Sequence, residues 1–427
     1  MFRIPSNQIQ FIRIIESQND RMIRLKDTRH PNTASFLSSA IRIAEYYGFA
    51  PLEDNAPGPR AVGDAHKDAG KKTEAEIVFA RREERPLAVG ARRCAIRARG
   101  SGRTLLAWRT GGSSTKERAD MPSSLSLELH VVGSSSAVAE ALLIVVANAI
   151  AEEAGIEKRV LSINNIGSIE SSNRYVRDIS TYLRKHIESI SPTLRPRAAS
   201  DPLGTLVQLI ERGHPAVSRA PQAMEYLTEE ERRRFWEILE YLEISGLSYE
   251  LSPQVLGSRD CWAHSLYEIS TIDPETSGRI SFAFGGRYDP LAARFAHGPM
   301  PSAMISISCE VHGRSRVKRE NTGMPAIYYA HLGAEARRRS LPVLEILRKE
   351  GIMVHQGLLH ERIGEQMAAA RKHATPYVLI MGHKEAVEGT ILVREVATNS
   401  QEAVPLLELP GYLRRHRMGV WRSSVPA

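Results

Sequence analysis

Between Ser35 and Gly48 apolar residues recur every three or four positions, at Phe36, Leu37, Ala40, Ile41, Ala44 and Tyr47. This spacing predicts an amphipathic helix that Gly48 stops. From Asp54 to Glu76 the period dissolves into Gly, Pro, Asp and Lys, the pattern of a surface loop or insertion. Between Ile77 and Val132 short apolar runs (IVFA, LAV, LLAW, LSLELHVV) are separated by Gly, Ser and Arg clusters. They predict strands joined by turns too short for helical crossovers, and therefore antiparallel.

Ala137 to Ala154 is apolar on almost every face and predicts a helix that must be buried, although Glu140 and Asn148 interrupt it. A strand at Arg159–Ile163 and a helix at Ser171–Ile187 follow. A second helix, Thr228–Gly246, opens with the Thr228/Glu231 spacing of a capping box. Strands are then expected at Ser248–Leu251, Ser265–Ile272, Arg279–Phe284 and Met304–Ile307. His312–Pro325 is polar, basic and aperiodic, which marks a linker. Beyond it, strands at Ala326–His331, Met353–Gln356, Tyr377–Met381 and Thr390–Val396 interleave with helices at Ala334–Glu350 and Arg362–His373, the alternation of a small α/β domain. The expected organisation is a core over 1–311 with 54–76 as a loop or insertion, a linker over 312–325, and a second domain over 326–427.

Composition adds little until charge is located. The chain has 427 residues, 42 % hydrophobic and 25 % charged, which excludes collagen-like and wholly disordered classes. Its net charge of +8 has one address: Arg81 to Arg118 holds eleven basic and three acidic residues, an excess equal to that of the whole chain. A solvated hairpin face or a phosphate-binding surface would both account for it. Cys94, Cys261 and Cys309 have no ligand or disulfide-framework spacing, and His355, His360 and His373 read as surface residues, so no metal site is expected. The longest apolar run is too short to span a bilayer and the N-terminus lacks an apolar signal core, so a cytoplasmic protein with no membrane partner is expected.

Several strings together resemble the histidyl-tRNA synthetases of class II. Gly285-Gly286-Arg287-Tyr288-Asp289 is similar to that family's Gly-Gly-Arg-Tyr-Asp-Gly-Leu signature, with Pro290 in place of the next Gly. Ser252-Pro253 with Asp260 and Glu268 resembles its second signature, Asp27-Thr28 with Pro31 its dimerisation motif, and Ser162–Gly167 the end of a family strand. Leu332–Arg337, Gly364 with Gln366, and Val393-Arg394-Glu395 resemble its anticodon-binding domain. The resemblance implies an α+β fold: a class II synthetase-like antiparallel sheet with flanking helices, followed by a small α/β anticodon-binding-like domain. A homodimer is implied as well.

The family's chemistry needs cations that hold ATP and neutralise charge as a carboxylate attacks the α-phosphate. Here the arginine of Leu-Val-Arg-Gly-Leu-Asp-Tyr-Tyr falls on Gly257, with Arg259 two residues on. The motif 3 arginine falls on Val311, beside Glu310. The Arg-Pro-Glu-Gly-Thr loop aligns with Gly90–Cys94, and of motif 2 only Arg109 matches in Trp108-Arg109-Thr110. The resemblance therefore implies a protein that binds tRNA or another structured RNA without efficient aminoacylation. Gly285, Gly286, Arg287, Tyr288, Asp289 and Glu310 would then be remnants of a substrate pocket. RNA would meet Arg92, Arg93, Arg97, Arg99 and Arg103 in the basic segment and Arg362, Arg371 and Arg394 in the second domain. No cofactor is expected. One alternative is a divergent but active histidine–tRNA ligase using ATP and Mg²⁺, with Arg259 and Arg109 as its cations. The other is a regulatory or assembly subunit similar to the synthetase-like partner of ATP phosphoribosyltransferase.

Overall fold

A computed structural model describes residues 33–52, 85–101, 104–113, 123–257, 260–272, 279–311 and 325–418. The Asp54 to Glu76 loop, Arg103, Arg259, the Asp27 to Pro31 motif and nearly all of the 312–325 linker lie outside the described residues.

The first unit is built on an eight-stranded sheet ordered β1-β2-β3-β8-β7-β6-β4-β5. These strands are β1 (Ala50–Pro51), β2 (Leu105–Ser113), β3 (Ser123–Val132), β4 (Arg159–Asn165), β5 (Tyr249–Leu251), β6 (Ala263–Ile272), β7 (Arg279–Arg287) and β8 (Ser302–Val311). The six central strands are antiparallel, and only the short outer strands β1 and β5 join in parallel. The sheet is the expected antiparallel one at its centre and more mixed at its edges.

Alternation in the strands sorts the sheet into two faces. Leu127, Leu129, Val131, Ile163, Tyr267, Ile305 and Ile307 turn to one side and pack on α3 (Val138–Glu153), together with α1 (Thr33–Tyr46) and α7 (Glu229–Ile244). Helix α3 is buried over nearly its whole length, as its apolar sequence requires. The opposite face carries α2 (Arg85–Ser101), α4 (Ile169–Lys185), α5 (Arg195–Ser200), α6 (Pro202–Glu211) and α8 (Asp289–Ala296).

Helix α2 corrects the sequence reading. Residues 85–101, which contain the LAV run and five of the eleven basic residues of the cluster, are helical and not part of a hairpin. The apolar face of this helix is made of Ala91, Cys94, Ala95 and Ala98, all buried at helical spacing. Small residues carry little hydrophobic signal, so the period was hidden behind the arginines.

The second unit is a five-stranded sheet ordered β10-β9-β11-β12-β13. It comprises β9 (Ile327–His331), β10 (Val354–Gln356), β11 (Tyr377–Met381), β12 (Thr390–Glu395) and β13 (Gln401–Pro405), with α9 (Ala334–Lys349), α10 (Ile363–Lys372), α11 (His383–Glu388) and α12 (Leu409–Arg415). Contrary to a surface reading, His355 is half-buried and stacks on His373 with ring centroids 3.9 Å apart. The two units meet through α1 and α9: the Tyr46 hydroxyl donates to the Leu344 carbonyl at 2.9 Å, the Tyr47 hydroxyl donates to Glu345, and Gln356 Nε2 donates to the Tyr47 carbonyl at 2.9 Å. Lys349 pairs with Glu152, and Arg338 with Glu240.

Candidate functional site

The strand registers bring seven residues into one row across the face opposite α3. Arg109 faces Glu128, Glu128 faces Ser306, Ser306 faces Phe284, Phe284 faces Glu268, Glu268 faces Ser162, and Ser162 faces Glu250. An alternating strand places every second residue on one face, so charged residues at these positions converge without any loop to hold them.

At one end of the row the charges neutralise each other. Arg109 Nη1 donates to both Glu128 oxygens at 3.0 and 2.9 Å, and the carboxylate side chain is 2 % exposed. His130 Nε2 lies 3.4 Å from Glu128 Oε2, while His130 Nδ1 and the Tyr288 hydroxyl share a hydrogen bond of 3.0 Å. With Tyr288 donating to Nδ1 and Nε2–H donating to Glu128, each member of this chain is satisfied. Burial opposes ionisation of Glu128, but hydrogen bonding from His130 and the Arg109 charge outweigh it and hold the carboxyl below its ordinary range.

Helix α2 closes over this group. A Cβ on Gly90 would stand 2.6 Å from Glu128 Oε2 and 2.9 Å from His130 Nε2, so only glycine lets the helix approach so closely. One turn on, burial pushes the Cys94 thiol up to about 12, which makes it inert as a nucleophile. Residues 90–94 therefore lie in mid-helix, and the expected correspondence with an Arg-Pro-Glu-Gly-Thr loop does not hold in this geometry.

The centre of the face is filled by Trp262, 2 % exposed and edge-on to Phe284 at 5.5 Å. Gly257, which occupies the expected arginine position, has no room for a side chain: its Cβ would come within 2.5 Å of Trp262 Cδ1. At the far end Glu268 is 5 % exposed, and burial raises its carboxyl to about 7 against the lowering effects of a Ser281 hydrogen bond and the Arg279 charge. Its neighbour Glu250 is ionised by contact with Arg279 at 3.2 Å and accepts from the Ser162 hydroxyl at 2.7 Å.

The Gly285–Asp289 string lies in β7 and at the start of α8. Gly285 and Gly286 permit close strand contact, since a Cβ would come 2.1 Å from the Met304 carbonyl oxygen and 2.5 Å from that of Ser265. Arg287 is 1 % exposed and donates to Glu140, to Asp289 and to the Ser134 carbonyl. Glu140 is in turn gripped by Arg234 at 2.7 and 2.9 Å and by the Ser265 hydroxyl. Of the string, Tyr288 reaches the polar row, and Arg287 belongs to a separate buried ion network. Glu310 pairs with Ser124 in register.

The predicted RNA-contacting residues divide by exposure. Arg93, Arg97 and Arg99 are exposed on α2, with Arg97 donating to the Pro51 carbonyl, whereas Arg92 is half-buried. Arg362 and Arg371 are exposed at the two ends of α10, and half-buried Arg394 donates to Asn399 at 2.8 Å. Sequence reasoning missed Glu128 and His130. Their signal was present in the alternation Ser124, Ser126, Glu128, His130 against Leu125, Leu127, Leu129, Val131.

Residues 330–416 match the family model described as anticodon binding domain. The chain is 26 % identical over 296 residues to histidine–tRNA ligase 1 of Shouchella clausii, an alignment covering 68 % of this chain and 69 % of the relative. It is 27 % identical over 288 residues to the histidine–tRNA ligase of Thermosynechococcus vestitus, covering 66 % of each. Over about two thirds of its length the chain is similar to the histidyl-tRNA synthetases. Among solved structures, the apo histidyl-tRNA synthetase of S. aureus aligns with a TM-score of 0.39 at 19 % identity, over 73 % of this chain and 77 % of that one. The stretch that matches the anticodon-binding-domain model lies on the β9–β13 sheet. Among the described residues no helix is long and apolar enough to cross a membrane, and no group of three or more metal-ligating side chains occurs.

Proposed function

We propose that this histidyl-tRNA synthetase-like protein binds tRNA or another structured RNA, as a cytoplasmic homodimer, without efficient aminoacylation. The observation that carries this reading is the fate of the expected phosphate-binding cations. Half-buried Arg109 is committed to Glu128, with its Nη1 donating to both carboxylate oxygens, and the position of Gly257 is closed to any side chain by Trp262. A transition state that gathers negative charge gains nothing from an arginine already neutralised by the protein. Each transition-state donor removed from such a site costs about 3 kcal/mol, and two together would cut turnover by roughly four powers of ten.

RNA binding rests on the exposed arginines of α2 and on the anticodon-binding domain. Phosphate contacts of this kind give salt-sensitive affinity that does not distinguish sequences. The second reading, an active histidine–tRNA ligase, is favoured by the names of the curated relatives. ATP–pyrophosphate exchange with histidine separates the two: the proposal expects exchange at background, together with RNA binding that weakens steeply with salt. Robust exchange would make the protein a ligase and end the proposal.

A further inference from the structure

Outside the polar row, a cavity of about 540 Å³ opens where β4 ends, β6 begins and β7 gives way to α8. Its walls are mainly apolar, from Ile169, Ala263, Ala293 and Met300, and its polar groups are His264, Asp289 and Glu170. A volume of this size with apolar walls and a few converging polar groups suits a small organic molecule.

The polar groups select its charge. Asp289 accepts from the Ser302 amide at 2.7 Å and from Arg287, but Arg287 is shared with Glu140, which also takes Arg234. Two arginines thus stand against Glu140, Asp289 and the exposed Glu170, which leaves one negative charge at the cavity. An anion would meet repulsion there, and a cation would complete the balance.

His264 gives the site direction. It adopts a left-handed backbone, φ 55°, where the β6–β7 register shifts, and both its amide and its carbonyl are tied down, to the Gly167 carbonyl at 2.7 Å and from the Ile166 amide at 2.9 Å. A register irregularity of this kind re-aims a side chain, and here it aims an imidazole into the cavity. Burial and the neighbouring Arg234 favour the neutral ring over the opposing influence of Asp289, so the imidazole adds a hydrogen-bonding group without adding charge. Ile169, 55 % exposed at the rim, is positioned to cover an apolar body that enters.

We infer that this cavity binds a small primary amine with a ring-sized apolar body, its ammonium between Asp289 and Glu170 and its ring against Ile169, Ala293 and Met300. The inference is independent of RNA binding and of turnover at the polar row. Isothermal titration of the full chain with benzylamine, and with benzoate and benzyl alcohol as probes of like shape, tests it. Saturable binding of benzylamine is expected, at least tenfold tighter than benzoate. Ala293→Phe, which fills the cavity, should abolish binding, and Glu170→Gln, an exposed change that leaves the fold intact, should weaken it several-fold. Benzoate binding as tightly as benzylamine, benzylamine binding unaltered by Glu170→Gln, or no saturable heat would each overturn the inference.

Discussion

Glu128 and Glu268 project from the same face of the same sheet, yet their surroundings move the two carboxyls in opposite directions. Glu128 has His130 and Arg109 within reach, whereas Glu268 is buried with weaker compensation and titrates near 7. Below that value the folded protein keeps a proton on Glu268 that the unfolded chain, with an ordinary glutamate, has released above about 4.3. Stability therefore falls as pH rises between the two values and is lowest, on this account, above 7. Glu268→Gln removes the titration with almost no change of shape. The variant is expected to melt higher than the parent at pH 8, by an amount corresponding to at most ~3.5 kcal/mol for a shift of this size, with the difference closing toward pH 5. A stability difference that ignores pH would show that Glu268 is ionised in the fold.

At the scale of elements, α2 is where sequence and structure part company, and the reason is chemical. The central strands were legible because large β-branched and aliphatic residues alternate with Ser, Glu and His. In α2 the buried stripe is alanine and cysteine, and the glycine that a helix usually avoids is required at Gly90 by Glu128 and His130. The capping box at Thr228 and Glu231 formed as its spacing predicts, with the Glu231 carboxylate also accepting from the Ser168 amide at 2.6 Å. The polar row was only half legible: Arg109 came from a motif, while its partner could be found only through strand register. As a helix, α2 presents Arg93, Arg97 and Arg99 on its exposed surface with Ile96 between them. Replacing the three arginines by alanine should leave the melting temperature nearly unchanged. It should weaken RNA binding and lower the salt slope by roughly one for each phosphate no longer neutralised by an arginine. An unchanged slope in a filter-binding titration would return these arginines to a solvated face.

On the scale of the whole molecule, the anticodon-binding unit is docked on the synthetase-like core through buried aromatics and is not merely tethered to it. Tyr46 and Tyr47 are both within 5 % of full burial, their hydroxyls bonded to Leu344 and Glu345 of α9. Desolvation beside the Glu345 charge drives both phenols far above their usual range. Removing the ring of Tyr47 opens a cavity in the interface and leaves Glu345 with one partner fewer. Tyr47→Ala is expected to cost about 3–5 kcal/mol and to split a single calorimetric transition into two. One sharp transition at lower temperature would mean that the two units hold together by other contacts.

The buried network around Arg287 bears on how relatedness is recognised in such a chain. Arg287 pairs with Glu140 beneath the sheet, Gly285 and Gly286 let neighbouring strands touch, and Asp289 caps the Ser302 amide. Each of these jobs belongs to folding, and each would go on constraining the string whether or not an adenylate were ever made. The most recognisable five residues in the sequence thus testify to ancestry through architecture. As a witness to turnover they are silent, and a search that counts such strings will enrol folded relatives and working enzymes alike.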